Sequence, residues 1–351
     1  MRKIACGIIC LLLGFSAVGL SQQNVDTGNF YFQLNQDAGV ENFTYTQLAN
    51  GNFQLVSNFQ ALSDQLILDF GTDKIFTETV IFTPDFNLVS YNANSETDRG
   101  TLEIDVTVKD QVASIHQKRQ APGETAEERQ RDVILEDNVV TTGIAASQFL
   151  LLQQYINEKL KLDISKETTL NAFDPTDINN PLVELTIKHL PDVIVQDVKT
   201  QAKFTAHRYE VSQDSFKADL ISCSAEAVAK ICDKEGRFLG FISSTASLAG
   251  VELDNAPNAS GALVKSVADG SFAAQAGLKV GDIITEVDGK AVRDRLDVGD
   301  LIRFKDPSVP VTFTVFRNGG TMTLQVRLSG SFLTVFRFDL FEGGFTILGE
   351  A

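Results

Sequence analysis

The sequence has no tryptophan, 2 methionines, 3 histidines, 4 cysteines and only 8 prolines in 351 residues. So few histidines and cysteines leave no run at metal-binding spacing. His-Glu-x-x-His does not occur, and neither a metal site nor any other cofactor is predicted. Gly-x-Ser-x-Gly and Gly-x-Ser-Gly-Gly are missing too, which removes the usual local signatures of a serine nucleophile. His116, His189 and His207 each sit inside a strand-like run and read as strand residues, not as catalytic bases. Basic residues number 30 against 46 acidic ones, and the net charge of −16 argues against nucleic acid or anionic lipid as partners, because phosphates attract Lys and Arg surfaces. After the first residues no apolar run approaches the roughly 20 residues of a membrane helix, so no transmembrane segment is expected in the mature chain.

What is present starts with an export pattern. Met1-Arg2-Lys3, the apolar run Ile4 to Leu13 and the small residues of Ala17-Val18-Gly19-Leu20-Ser21 read as a signal peptide over 1–21, which sends the mature protein to the periplasm or the medium. Cys6 and Cys10 would leave with it. The remaining pair, Cys223 and Cys232, reads as a disulfide in an oxidising compartment; two buried thiols are the alternative, and a metal pair lacks further His or Cys nearby.

With 43% hydrophobic residues and 25 phenylalanines the chain can bury a large core, and its length implies two domains or a little more. From Phe30 to Ile242 period-two runs dominate: Phe30 to Leu34, Phe43 to Leu48, Phe53 to Val56, Gln65 to Phe70, Lys74 to Phe82, Leu88 to Tyr91, Thr101 to Val108 and Val112 to Gln117. Lys118 to Asp132, polar and holding Pro122-Gly123, reads as an exposed loop. Gln148 to Leu152, Tyr155, Ile156 and Leu160 repeat at three and four and predict one long helix over about 140–162. Strands resume at Leu182 to Lys188, Val193 to Val198, Lys203 to Val211, Lys217 to Ile221, Val228 to Cys232 and Arg237 to Ile242, with a hairpin turn at Lys234-Glu235-Gly236. The expected fold class is mainly β (α+β): an antiparallel curved sheet around one long helix over 22–245, followed by a second domain over 246–330. Such an order of elements resembles the half-barrels of exported lipoprotein carriers. That would let the concave face take a lipid or other apolar ligand, unless the helix fills it.

The second domain carries the sharpest signal. Gly261-Ala262-Leu263-Val264, Ser271-Phe272-Ala273-Ala274-Gln275-Ala276-Gly277-Leu278, Gly281-Asp282-Ile283-Ile284 and Val287-Asp288-Gly289-Lys290 occur in that order. Together they resemble a bacterial PDZ domain, as found in periplasmic heat-shock and carboxy-terminal processing proteases. Phe272 departs from the proline usual there, at a first-turn position open to both. The resemblance implies a peptide-binding or adaptor protein whose partners are protein C-termini or extended peptides. The carboxylate turn would be Leu248-Ala249-Gly250-Val251. The edge strand would run Val251-Glu252-Leu253, opposite a helix from Asp297 to Phe304 with Val298, Leu301 and Ile302 on one face. A rival turn is Phe238-Leu239-Gly240-Phe241.

An enzyme alternative is a protease with a degenerate aspartic site. Asp26-Thr27-Gly28 has the letters without the apolar strand, whereas Leu66-Ile67-Leu68-Asp69-Phe70-Gly71-Thr72 has the strand without the hydroxyl residue, making Asp69 the rival catalytic residue. The end of the chain, 331–351, is an apolar extension. Alternation over Phe332 to Leu340 predicts a strand added to the first sheet, and the alternative is that Leu348-Gly349-Glu350-Ala351 visits a PDZ groove. Nothing in the sequence speaks to oligomeric state.

Overall fold

The structure is a computed structural model that describes residues 22–34, 37–62, 74–97, 99–136, 139–142, 145–213, 216–225, 227–228, 231, 233–257, 261–303 and 305–351. The predicted signal segment 1–21, Asp69 and Cys232 lie outside these residues.

The chain first makes an antiparallel meander of β1 (Gln23–Leu34), β2 (Asp37–Gln47), β3 (Phe53–Ala61), β4 (Ile75–Phe82), β5 (Leu88–Thr97), β6 (Gly100–Lys109), β7 (Val112–Gln120) and β8 (Glu127–Ile134). Alternation drives it. Phe30, Phe43, Leu55, Phe76, Tyr91, Ile104 and Ile115, one from each of the first seven strands, face a common interior, and none is more than 3% exposed. The predicted loop 118–132 is instead the hairpin of β7 and β8. Cross-strand pairs of opposite charge, Lys118 with Glu128 and Arg119 with Glu127, extend the ladder where apolar alternation has ended.

A second series follows: β9 (Val140–Thr141), helix α1 (Ala146–Tyr155), β10 (Glu167–Phe173), β11 (Leu182–Asp197), β12 (Lys203–Gln213), β13 (Phe216–Cys223) and β14 (Phe238–Ser247). The expected single long helix over 140–162 is corrected. Val140 and Thr141, both β-branched, pair in parallel with β10, and the α-helix gives way to a π-turn at Ile156–Leu160 that Lys161 closes in a left-handed conformation. The two runs expected at 182–188 and 193–198 are one strand, β11, which passes through Pro191 by a bulge between Leu190 and Val193. Of the run expected at 228–232, residues 229, 230 and 232 lie outside the described residues, and Val228 makes a single β-bridge.

After β14 the chain leaves this sheet and builds a separate six-stranded one: β15 (Val251–Asn255), β16 (Ala262–Val267), β17 (Ile283–Val287), β18 (Lys290–Ala291), β19 (Val311–Arg317) and β20 (Gly320–Val326), with helices α2 (Phe272–Gln275) and α3 (Arg295–Ile302). It then returns. β21 (Ser329–Arg337) pairs along β14 from Ser247↔Ser329 to Gly240↔Phe336, and its other edge pairs with β1 from Leu34↔Leu333 to Phe30↔Arg337. The result is a 16-stranded sheet ordered β8 to β1, then β21, then β14 to β9, in which β22 (Phe345–Glu350) pairs with β11. The amide of Ala351 donates to the carbonyl of Asp192, so the tail is taken up by the large sheet, not by a PDZ groove.

The large sheet curls around α1. Phe149 meets Phe241 at 4.6 Å and Phe216 at 6.1 Å, and Tyr155 stands edge-on to Phe86 at 5.5 Å. Its two ends approach through the 174–181 loop: Gln117 of β7 donates to the carbonyls of Pro175 and Thr176, and Arg131 of β8 to those of Ile178 and Asn179. The apolar space beside the helix, lined by Val80, Phe82, Leu151 and Tyr155 among others, is about 20 Å³, room for about one water. No helix among the described residues is long and apolar enough to cross a membrane.

No side chain of α1 caps its own N-terminus. Buried Glu41 does so from β2, accepting the amides of Ala146 at 2.6 Å and Ser147 at 2.9 Å and the hydroxyl of Ser57 at 2.8 Å. Glu78 of β4 is buried beside it and accepts from Tyr91 at 2.9 Å and from the Gln148 amide at 2.5 Å. Burial pushes Glu78 up to about 8, against the hydrogen bonds from Gln148 and Tyr91 that favour the carboxylate. The folded protein therefore keeps this proton over a range in which an unfolded chain, with an ordinary glutamate near about 4.3, has lost it. Stability should fall as pH rises from about 5 to about 8. Urea midpoints measured at pH 5.5 and 8.5 should drop less in Glu78→Gln than in the parent; equal drops would refute the assignment.

Candidate functional site

The candidate site is built where the chain leaves the large sheet. Leu248 closes a turn by accepting the amide of Val251 at 3.2 Å, and Gly250 sits at φ +77° with its carbonyl accepting from Ala268 at 2.7 Å. A Cβ at Gly250 would lie 3.0 Å from that of Ala268 and 3.3 Å from that of Ser271, so both conformation and space require glycine. The amides of Ala249 and Gly250 have no hydrogen-bond partner among the described residues. From this turn β15 runs out as the terminal strand of the small sheet, paired on one side only, with β16. Val251 and Leu253 pack half-buried against the core, while Glu252 and Asp254 face solvent.

Helix α3 stands next to this edge. The helix expected from Asp297 to Phe304 begins two residues earlier, because the carboxylate of Asp294 caps it by accepting from the amides of Leu296 and Asp297 at 2.9 and 3.0 Å. The amide of Arg295 donates to the Asn255 side chain at the end of β15, which ties the helix to the edge strand. Val298 and Ile302 are buried in the core of the small domain. Leu301 remains half-exposed.

Those features form a glycine turn with unpaired amides, an open edge strand and a helix alongside. The model of the PDZ domain matches residues 247–328, limits that coincide with Ser247 and Ser329, where the chain leaves and rejoins the large sheet. Residues 247–328 are a PDZ domain. Over 71 residues the chain is 37% identical both to the periplasmic pH-dependent serine endoprotease DegQ of Escherichia coli (strain K12) and to the serine protease Do-like HtrA of Lactobacillus helveticus. Those matches take in 20% of this chain and only 16% and 17% of the relatives. Among solved structures, the HtrA3 PDZ domain bound to a phage-derived ligand is 18% identical, covering 26% of this chain and 91% of its own at a TM-score of 0.23. The HtrA-type protease AlgW with decapeptide is 11% identical, covering 86% and 94% at 0.25.

The PDZ domain is pinned to the large sheet. Arg99, in the β5–β6 turn, inserts its guanidinium among the acids of α3, bonding to Asp294 at 2.6 and 2.7 Å, to Asp297 at 2.8 Å and to Asp300 at 3.0 Å. Burial raises the Asp294 carboxyl, but the hydrogen bonds from Arg99 and from the Asp297 amide, together with the charge of Arg99, leave the group below the usual range. The Ala246 amide adds a bond to the carbonyl of Arg303, at the other end of the helix.

The other residues singled out from the sequence fall elsewhere. The rival turn Phe238-Leu239-Gly240-Phe241 lies inside β14, between β13 and β21, and Gly240 is glycine because a Cβ there would come 2.0 Å from the Val335 carbonyl oxygen. Val298 and Ile302, expected along the groove, are buried in the core of the small domain. Asp26, whose letters resemble an aspartic-protease motif, is bonded to Arg337 and Arg237 at 2.9 Å each and so faces two guanidinium groups where a dyad needs a second carboxylate. Cys223 is buried and disulfide-bonded, while its expected partner Cys232 lies outside the described residues. His116 is exposed on β7, but His189 and His207 meet on neighbouring strands with ring centroids 6.0 Å apart, a convergence that sequence spacing does not announce. The interruption of β11 at Pro191-Asp192 was its one linear trace.

Gly250→Ala should destabilise the PDZ domain by about 1 kcal/mol, because alanine is strained at positive φ and would press on Ala268 and Ser271. The thermal or urea midpoint reads this directly; a stability equal to the parent's would show that the turn has another conformation.

Proposed function

We propose that this is an exported, non-catalytic protein whose PDZ domain captures C-terminal or extended segments of other proteins while the large sheet serves as its platform. The open outer edge of β15, beside the turn with two unpartnered amides, carries the reading. An extended backbone added there satisfies hydrogen-bonding groups that the small sheet leaves unpaired, and a terminal carboxylate can be received by the amides of Ala249 and Gly250. Solved relatives carry peptides by name, a phage-derived ligand on the HtrA3 PDZ domain and a decapeptide on AlgW, which supports the same ligand class here. Export is supported by the pattern of residues 1–21 and by the periplasmic relative.

The non-catalytic part rests on different ground. Protease activity in the curated relatives belongs to whole chains of which the match covers 16% and 17%, and neither serine motif occurs in this sequence. The concavity that a lipid would need is filled by α1, which favours peptide binding over an apolar-ligand role.

Calorimetry with a set of peptides ending in apolar residues tests the binding. At least one should bind in the micromolar range, and amidating its C-terminus should weaken it about tenfold by removing the charge-assisted bonds to the turn. Affinity unchanged by amidation across all binders would remove carboxylate capture. Incubation with unfolded casein tests the rest: cleavage that disappears in Asp69→Ala would replace the adaptor reading with the protease.

A further inference from the structure

A side-chain cluster far from the PDZ edge is unaccounted for by peptide binding. On β11, Leu190 pairs with Arg208 and Val193 with Ala206, so Pro191 and Asp192 together oppose His207 alone. This bulge, which admits a proline because no ladder hydrogen bond is needed from that nitrogen, turns Asp192 toward the neighbouring strand. Oδ1 of Asp192 lies 3.0 Å from Nδ1 of His207 and 4.0 Å from Nε2 of His189. The bulge is held from behind by the Ala351 amide on the Asp192 carbonyl.

The far side of each imidazole decides its tautomer. Nδ1 of His189 is 2.6 Å from the carbonyl oxygen of Leu162, which can only accept, so Nδ1 carries the hydrogen and, in the neutral ring, Nε2 presents a lone pair. Residue 189 is 7% exposed, its ring is stacked on Tyr209 at 4.3 Å, and Nε2 is buried without a hydrogen-bond partner. Buried lone pairs are seldom left idle. His207 repeats the pattern: with Nδ1 toward Asp192, its Nε2 is 3.4 Å from a carboxylate oxygen of Glu235. Two imidazoles that aim one nitrogen at a shared carboxylate, while an acceptor holds the other, form the inner and outer spheres of a metal site.

We propose that His189, His207 and Asp192 bind a first-row divalent cation of the Zn²⁺ type. The three ligand atoms lie within 4.8 Å of one another. Bonds of about 2.0–2.1 Å to a tetrahedral ion place ligand atoms about 3.4 Å apart, so adjustments of about an ångström assemble the sphere. Two neutral nitrogens and one carboxylate suit Zn²⁺ and its neighbours better than Mg²⁺ or Ca²⁺, which prefer oxygen alone. Side chains of Asp192 and His207 are 23% and 22% exposed, which gives the ion a route in and leaves a fourth position for water. The ion would clamp β11 to β12 where the bulge has broken their ladder.

The test uses the untagged full chain, stripped with a chelator and titrated with Zn²⁺ in a calorimeter. One ion per chain should bind with a micromolar or tighter Kd, and Mg²⁺ should give no comparable heat. Asp192→Asn and His207→Ala, both at partly exposed positions, should weaken binding at least tenfold, whereas His116→Ala on β7 should leave it unchanged. Glu235→Ala should weaken it about tenfold through the outer sphere. Co²⁺ added to the parent should give the intense visible absorption of a four-coordinate ion and lose it to Zn²⁺, a readout independent of any variant's folding. No saturable binding at micromolar Zn²⁺, or binding equally strong in His207→Ala and Asp192→Asn, would overturn the proposal.

Discussion

The strand pairing of β21 is the constraint on which the molecule depends. Among the described residues, the eight-stranded meander and the second series of strands are joined into one sheet by this strand, which pairs with β1 on one edge and β14 on the other. Its inward residues Leu333 and Val335 are fully buried, and it ends in Arg337, a guanidinium with no exposed surface. Burying a charge is costly unless partners surround it. Here Asp26 of β1 and Asp339 each accept from two of its nitrogens, the Thr27 carbonyl shares Nη2 with both, and the ring of Phe43 covers its face at 4.8 Å. Since side chains alternate strictly, a one-residue slip of β21 would expose Leu333 and Val335 and separate Arg337 from its acids. The pairing thus has one acceptable register.

That closure explains the place of the PDZ domain. It occupies the connection between two strands that are neighbours in the sheet, so it is an enlarged hairpin loop attached by two chain crossings, not a bead on a linker. Arg99 and Ala246 then hold both ends of α3. A short helix packed on the edge of a small sheet has few contacts of its own to fix it. Here any shift would break a set of charge-assisted bonds to the large sheet, so the large sheet fixes where α3 stands beside β15.

Where local chemistry acts alone, the linear reading was informative. Period-two alternation marked most of the strands, and Gly250, Ser271 and Gly277 marked turn and caps of the PDZ domain because glycine at positive φ and serine at an N-cap answer to their own few neighbours. It failed where a partner distant in sequence decides. Val140 and Thr141 became a strand because Ala172 and Phe173 offered an edge. The polar stretch around Lys118 paired because its charges meet opposite ones across a hairpin. Gly240 looked like a carboxylate turn, yet it is glycine because β21, almost a hundred residues later, passes too close for a side chain.

From the sequence alone came the mainly β class, the PDZ domain and the turn its edge strand starts from, all of which are written in short-range patterns of polarity and backbone freedom. Alternation over Phe332 to Leu340 also announced a strand added to the first sheet, but the tertiary structure alone decided that it lies between β1 and β14, that Arg99 grips α3, and that His189 and His207 face one carboxylate. Those are meetings between residues whose separation along the chain carries no periodicity, so they exist only after strand register and one bulge have set the distances.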